Sequence, residues 1–338
     1  MFNRKINIAI NGFGRIGRAA FKIILDSHPK LNIVAINDLT DTTVLAHLLE
    51  YDTCYGKYQR KISHTKECLV VDSKKYPVFS QKDPSLLPWK KLKVDMVLEC
   101  TGKFRSADEV QAHLDAGAQK VIISAPAKGK VKTIVIGVNE DKITKTDDVV
   151  SCASCTTNCL APVTLIIKNN FGIKKALMTT IHSYTADQNL VDGPHQDLRR
   201  ARAAGVNIVP TTTGAASAVA ETIPSLKNNF DGLAVRVPTP VGSLCDTVFL
   251  LNKKTSIEAV NKSFSDAAKG KLKGILEASN AELVSSDIIG NAHSSIVDLK
   301  STMLVGGDLL KVVSWYDNEW GYSNRLVELS YLLKKYLK

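Results

Sequence analysis

Lys5-Ile6-Asn7-Ile8-Ala9-Ile10-Asn11-Gly12-Phe13-Gly14-Arg15-Ile16-Gly17-Arg18 is the stretch whose reading decides the fold. Residues 5–11 read as a buried strand, and the glycine-rich turn leads into a helix through about residue 26, with Ala20, Ile23 and Ile24 apolar. A second strand is expected over 32–37, and Asp38 stands at its end. A bare GxGxxG says little. Between a strand and a helix, with an acid about 20 residues further on, it is a dinucleotide fingerprint. Gly12 allows the tight turn, Gly14 lets the backbone approach a pyrophosphate, and Gly17 lets helix and strand pack closely. The helix N-terminus then holds the phosphates. Asp38 can accept both ribose hydroxyls of an adenosine, and its charge would repel a 2′-phosphate, so the residues point to NAD rather than NADP.

The alternation continues. Strands are expected over 94–100, 121–124 and 133–138, and a helix over 106–116, opened by Ser106 three residues before Glu109 as in a capping box. This predicts an α/β fold with a doubly wound parallel sheet, whose ligands sit at the carboxyl ends of its strands: Gly12 to Gly17, Asp38, Thr101-Gly102 and Ser124-Ala125-Pro126. Residues 57–81 look like an inserted set of shorter strands, chiefly 68–71 and 76–79. After residue 155 the texture changes. Strand patterns over 176–183, 233–238, 246–251, 295–298 and 309–316, with a helix over 257–269, predict an α+β domain with a mostly antiparallel sheet. The expected division is 1–154 for a Rossmann-type NAD-binding domain and 155–318 for a catalytic domain. A last helix, 319–338, carries Tyr322, Leu326, Leu329 and Leu333 on one face and returns to the first domain.

The 338 residues are 44% hydrophobic and 23% charged, which excludes a disordered or fibrous chain. No apolar run reaches the ~20 residues a spanning helix needs, so no membrane partner is expected. Met1-Phe2-Asn3-Arg4-Lys5 leads straight into the first strand without room for a signal peptide, and a cytoplasmic protein is expected. Seven cysteines without framework spacing fit thiols kept reduced there. Cys152, Cys155 and Cys159 have no distal partner cluster, so no metal is expected. The net charge of +11 is spread over scattered lysines, with small clusters at Lys128, Lys130, Lys132 and at Lys334, Lys335, Lys338. No aromatics interleave with them, so nucleic acid is not indicated; a basic surface that suits phosphorylated substrates is.

The chemistry is carried by Ser151-Cys152-Ala153-Ser154-Cys155-Thr156-Thr157-Asn158-Cys159-Leu160-Ala161-Pro162. A helix is expected over 158–168, with Leu160, Val163 and Ile167 at helical spacing and Pro162 tolerable only in an early turn. Cys155 at that junction faces unpaired N–H groups and the positive end of the helix dipole, which favour the thiolate. A merely packed cysteine has no use for the polar Ser154, Thr156, Thr157 and Asn158 around it. His182 ends an apolar strand just before residues 184–207, a segment too long and polar for an idle connection, and is the best placed of seven histidines to act as base. Together they predict attack of a thiolate on an aldehyde, hydride transfer from the thiohemiacetal to a nicotinamide, proton uptake by the imidazole, and a thioester that something must attack. Thr211-Thr212-Thr213-Gly214 opens a helix over 215–221 and makes an anion cradle, and Arg199, Arg200, Arg202 and Arg236 supply guanidiniums. Two anions, a substrate phosphate and an attacking inorganic phosphate, account for both sets. For Arg199 and Arg202 an exposed loop or subunit contact is the better reading.

These motifs, with Asn37-Asp38-Leu39-Thr40-Asp41 and residues 197–204, 236–240 and 314–325, make the chain similar to the phosphorylating glyceraldehyde-3-phosphate dehydrogenases over essentially its whole length. The resemblance implies oxidative phosphorylation of glyceraldehyde 3-phosphate by inorganic phosphate to 1,3-bisphosphoglycerate in glycolysis or gluconeogenesis, NAD as acceptor, and a homotetramer. It implies Cys155 as nucleophile and His182 as its base. It also implies cofactor contacts at Arg15, Ile16, Asp38, Lys82, Ser124 and Asn318, besides Gly12, Gly14 and Gly17. Contacts to the two phosphates would come from Ser154, Thr156, Thr185, Arg200, Thr213, Gly214 and Arg236. The irregular segment 184–207 would pack across a subunit interface beside the cofactor.

Some positions depart from the family pattern. Tyr55 stands where many members have a histidine, and Gly193-Pro194 replaces a leucine-proline pair found in some members near the adenosine. Cys159, one turn from Cys155, reads as structural, though oxidation could exploit it. An erythrose-4-phosphate dehydrogenase would look much the same. A related semialdehyde dehydrogenase would not need two anion pockets, and a basic binding protein with secondary catalysis would not need an intact Cys155 and His182.

Overall fold

Isoleucines make the first strand. Ile6, Ile8 and Ile10 of Ile6–Asn11 are buried, and the strand lies in the middle of a nine-stranded sheet in the computed structural model, which describes residues 4–337. Met1–Asn3, read above as the start of a leaderless chain, and Lys338, the last of the C-terminal lysines, lie outside the described residues. The chain divides into two compact units. One contains residues 4–134, 140–153 and 323–337; the other contains 135–139 and 154–322.

In the first unit the strand order is Lys132–Thr133, Val149–Ser151, Lys120–Ile123, Met96–Glu99, Ile6–Asn11, Leu31–Asn37, Lys74–Phe79, Cys68–Val71, Ile62–Thr65. The first seven run parallel, and the inserted Cys68–Val71 and Ile62–Thr65 add antiparallel. Chain order reverses direction between Ile6–Asn11 and Met96–Glu99. That reversal is the switch point where an open α/β sheet offers a crevice. The helix Ala107–Asp115 has the expected capping box, Ser106 accepting from Glu109 N–H and Glu109 reaching back to Ser106 N–H.

The expected strand over 133–138 is only Lys132–Thr133. Val138 and Asn139 N–H fold back onto Val135 C=O, Asn139 Oδ1 accepts from Val135 N–H, and Gly137 takes φ +85. Ile134 still donates its N–H to Ser151 C=O at 2.8 Å, and from Val135 the buried apolar run leaves the ladder for a turn.

The helix Arg15–Ser27 sits against the first strand because Gly17 lacks a side chain: a Cβ there would lie 2.1 Å from Gly12 O. That contact is with backbone and cannot rotate away. Gly17→Ala is expected to destabilise the protein by about 2 kcal/mol or more through overpacking, measured as a lowered urea midpoint at unchanged m-value.

The second unit is built on a seven-stranded sheet, in the order Val209–Thr211, Phe230–Val237, Ile173–Ser183, Ser243–Leu251, Leu309–Tyr316, Ser295–Val305, Leu276–Ser279. Ile173–Ser183 pairs parallel with Phe230–Val237, and Leu276–Ser279 with Ser295–Val305; the remaining neighbours are antiparallel. Ser243–Leu251 alternates buried and half-buried residues along its whole length, as a strand does when one face packs on a core. The helix Cys155–Phe171 covers the sheet. It starts three residues earlier than the apolar spacing indicated, so Pro162 lies in its interior and removes the hydrogen bond to Asn158 C=O. The last helix, Trp320–Lys334, begins in the second unit and passes into the first, where Tyr336 OH donates to Ile143 C=O at 2.6 Å. No helix among the described residues is long and apolar enough to cross a membrane.

Candidate active site

The carboxyl ends of the central parallel strands open into a pocket of about 600 Å³, lined in part by Asn11, Gly12, Gly14, Asp38, Lys82 and Thr101. Gly12 holds φ +90 there, and a Cβ would come within 2.7 Å of Thr101 N. Gly14 is the N-cap of Arg15–Ser27, with no side chain capping the helix, and a Cβ on it would meet nothing within 4 Å. An uncapped helix start beside a bare backbone is a cradle for a diphosphate. Asp38 is held at the rim, Oδ2 accepting from Phe13 N–H at 2.7 Å and Oδ1 from Thr40 N–H at 2.9 Å. This donor set fits a dinucleotide with a free 2′-hydroxyl.

Arg15, Ile16 and Gly17 form the first turn of that helix. The Arg15 guanidinium pairs with Asp52 at 2.7 Å and lies 5.5 Å from the centre of the Tyr55 ring, so the unusual tyrosine packs by a cation–π contact. Ser124 follows Lys120–Ile123 and donates its N–H to Glu99 C=O. Asn318 belongs to the second unit, where its Oδ1 accepts from Gly242 N–H and Ser243 Oγ.

In the second unit the nucleophile candidate is set by a cap. Ser154 Oγ accepts from Thr157 N–H at 3.0 Å, which fixes Cys155 as the first helical residue. Cys155 Sγ lies 3.5 Å from His182 Nε2. His182 Nδ1 is 2.6 Å from Ser183 C=O, which can only accept, so Nδ1 carries the hydrogen and Nε2 is left as the acceptor facing the sulfur. Arg236, opposite His182 in the strand register, donates to the same carbonyl at 3.1 Å and to Thr185 Oγ1 at 2.9 Å. Its 3.3 Å approach to Nδ1 is therefore that of two donors sharing an acceptor.

The electrostatics differ from the sequence expectation. Cys155 keeps part of its surface open, yet burial around the sulfur pushes the thiol up to about 11, against the pull of Arg236 and the Thr156 hydrogen bonds. Burial, then the Arg236 charge, pushes the His182 imidazole down to about 3. Desolvation outweighs the helix N-terminus, and the resting pair is thiol and neutral imidazole. Opposite charges 3.5 Å apart regain on the order of 5 kcal/mol at an effective dielectric near 20, so proton transfer within the pair is cheaper than either group titrating alone.

The candidate anion cradle is tied together by Asp187, which the sequence did not single out. Asp187 accepts from both Thr185 Oγ1 and Arg200 Nη1. Burial raises the Asp187 carboxyl, but the Thr185 hydroxyl and the Arg236 and Arg200 charges outweigh it and hold it low. Arg200 also donates to Thr211 Oγ1 at 2.9 Å and Thr212 C=O at 3.2 Å. Thr213 Oγ1 accepts from Ala215 N–H, and Gly214 caps Ala215–Thr222 without a side chain. Arg202 instead pairs with Asp192 on the surface, and Arg199 is exposed. Tyr316 was missed too. Buried, it packs edge-on to His182, its OH 2.9 Å from Thr156 Oγ1 and 2.8 Å from Thr180 Oγ1. Cys159 is buried with Cys245 and Tyr316, its sulfur 3.3 Å from Ser314 Oγ. Among the described residues no group of His, Cys, Asp or Glu is arranged to hold a metal.

Residues 6–107 match the family profile described as glyceraldehyde 3-phosphate dehydrogenase, NAD binding domain, and residues 154–318 match its C-terminal domain. Among curated proteins, a glyceraldehyde-3-phosphate dehydrogenase of Thermotoga maritima is 54% identical over 97% of this chain and 99% of its own length. One of Bacillus subtilis is 52% identical, over 98% and 99%. One of Geobacillus stearothermophilus is 51% identical, over 96% and 97%.

Proposed function

The chain belongs to the glyceraldehyde-3-phosphate dehydrogenase family, and from that premise we propose how its own residues perform the reaction, the NAD-dependent oxidation of glyceraldehyde 3-phosphate. Residues 1–154 with 319–338 act as the NAD-binding domain and 155–318 as the catalytic domain. Asp38 takes the adenosine ribose, the turn from Gly12 to Gly17 the diphosphate, and Arg15, Ile16, Lys82, Ser124 and Asn318 are the further cofactor contacts. When bound, NAD supplies the hydride acceptor.

His182 Nε2 draws the proton from Cys155 Sγ as the sulfur attacks the aldehyde carbon. Nε2 passes that proton to the former aldehyde oxygen, and the hemithioacetal hydroxyl so formed returns it to the same nitrogen as the carbon is oxidised, leaving a thioester on Cys155. Arg236 and Thr185, already hydrogen-bonded to each other, hold one phosphate. Arg200, Thr213, Gly214, Ser154 and Thr156 serve the other, inorganic phosphate, whose oxygen attacks the thioester and releases 1,3-bisphosphoglycerate. The observation that carries this reading is the 3.5 Å contact from Sγ to a nitrogen whose tautomer is fixed as acceptor.

NADH formation from glyceraldehyde 3-phosphate is expected to turn over continuously with phosphate present and to stop near one equivalent per subunit without it. Continuous turnover without phosphate would reject the acyl-transfer half. Arg200→Leu is expected to raise the KM for phosphate by about 10- to 100-fold, the worth of one or two charge-assisted hydrogen bonds. Lysine at that position restores little, since it cannot reproduce the forked donors.

A homotetramer is supported by the run of exposed apolar side chains Leu190, Val191, Leu198, Val206 and Ile208, between 70% and 85% open, which on a lone subunit is an interaction surface. Sedimentation at micromolar concentration measures it, and a monomer there would reject it. Cytoplasmic residence is supported by seven cysteines, none of them joined in a disulfide.

A further inference from the structure

Beneath the dinucleotide pocket the first unit buries a line of polar side chains. Trp89 and His113 are fully buried, Glu99 and Asn11 nearly so. An indole N–H can only donate, and that of Trp89 lies 3.0 Å from His113 Nδ1. Nδ1 is thus the acceptor, the ring hydrogen is on Nε2, and Nε2 donates to Glu99 Oε2 at 3.1 Å. The same oxygen accepts from Asn11 Nδ2 at 2.5 Å, while Oε1 accepts from Thr101 N–H at 2.8 Å and from the Thr101 hydroxyl. Four donors converge on one buried carboxylate, and none of them is a cation. Burying a carboxylate on neutral donors alone is expensive, and a packing role would be met by an apolar side chain.

What the carboxylate holds is the pocket wall. Asn11 and Thr101 both line the pocket. Thr101 N is also the atom that a Cβ on Gly12 would strike, so the Thr101 backbone and the glycine turn are in direct contact. Asn11 Oδ1 accepts from Asn37 Nδ2 at 2.7 Å, which ties in the end of a third strand.

We propose that Trp89, His113 and Glu99 are positioning residues for NAD: a fixed-tautomer relay through which the indole orients the imidazole, the imidazole orients the carboxylate, and the carboxylate sets Asn11 and Thr101 against the cofactor. The proposal rests on this pocket being the dinucleotide site. The test is His113→Leu against His113→Gln in the full-length enzyme, with NAD dissociation constant, KM, kcat and circular dichroism measured for each. His113→Leu is expected to raise the NAD dissociation constant and KM about tenfold, the loss of roughly one buried hydrogen-bond link. It leaves kcat at saturating NAD, the KM for glyceraldehyde 3-phosphate and the alkylation rate of Cys155 within about twofold. His113→Gln, whose amide can accept from Trp89 and donate to Glu99, recovers most of the affinity. Unchanged NAD affinity in folded His113→Leu overturns the proposal, as does equal loss in both variants. Should His113→Leu not fold, Trp89→Phe removes the indole N–H with most of the ring volume kept, and wild-type NAD affinity there overturns it equally. Failure of the wild-type enzyme itself to bind NAD would refute the pocket's assignment instead.

Discussion

Cys155→Ala is expected to lower kcat/KM for glyceraldehyde 3-phosphate by at least about 10⁴-fold, because no other group in the second unit can form the covalent intermediate. The nearest alternative, Cys159, is fully buried among Cys245, Tyr316 and Ser314, and cannot meet a substrate. The loss is one of chemistry rather than of folding. Cys155 is a small side chain with part of its surface open, so deleting one sulfur costs about 1 kcal/mol, and the helix keeps its Ser154 cap. The Asp38 pocket lies wholly in the first unit, so NAD affinity should be unchanged. Cys155→Ser sharpens the point: it is nearly isosteric, yet its hydroxyl is a far weaker acid and nucleophile, and it should lose almost as much. Turnover of Cys155→Ala at more than a hundredth of the wild-type rate, with NAD binding intact, would remove the cysteine from the mechanism.

Local chemistry was readable and long-range chemistry was not. Gly12, Gly14, Gly17 and Asp38 act through backbone geometry within one strand-turn-helix unit, so their spacing alone carries their meaning. Ser106 and Glu109 are legible for the same reason. Asp187 and Tyr316 escaped because the partners that give them a role lie elsewhere in the sequence: Arg200 for the one, Thr156 and Thr180 for the other. Trp89, His113 and Glu99 carry no motif at all; a turn, a helix and a strand that pack together bring them within reach. The misread strand over 133–138 is a propensity error, since Ile134-Val135-Ile136 favours a ladder and Gly137 ends it. The electrostatic expectation at Cys155 failed differently. A helix N-terminus can be inferred from spacing, whereas the desolvation opposing it depends on the packing of Cys245 and Tyr316, which spacing does not encode.

His182→Gln separates the two consequences of that desolvation. Removing the acceptor at 3.5 Å from Sγ takes away both the base that draws off the thiol proton and the one that receives the hydroxyl proton, so kcat is expected to fall by about 10²- to 10⁴-fold. Alkylation of Cys155 by iodoacetamide at pH 7 should slow as well, which a purely positional role for the imidazole would not produce. Stability should move the other way with acid. In the unfolded chain a histidine takes up its proton near pH 6.5, whereas the folded imidazole, held by burial and the Arg236 charge, does so only at about 3. Between those values the unfolded state binds more protons, so stability falls as the pH drops from 6.5 toward 3. His182 alone accounts for up to about 5 kcal/mol of that fall. A glutamine has no proton to gain, so urea titrations at pH 7 and pH 4 should show a smaller acid loss in His182→Gln than in the wild type. An equal loss would mean the folded imidazole takes up its proton near pH 6.5, as in the unfolded chain, so that burial and the Arg236 charge do not hold it neutral in acid.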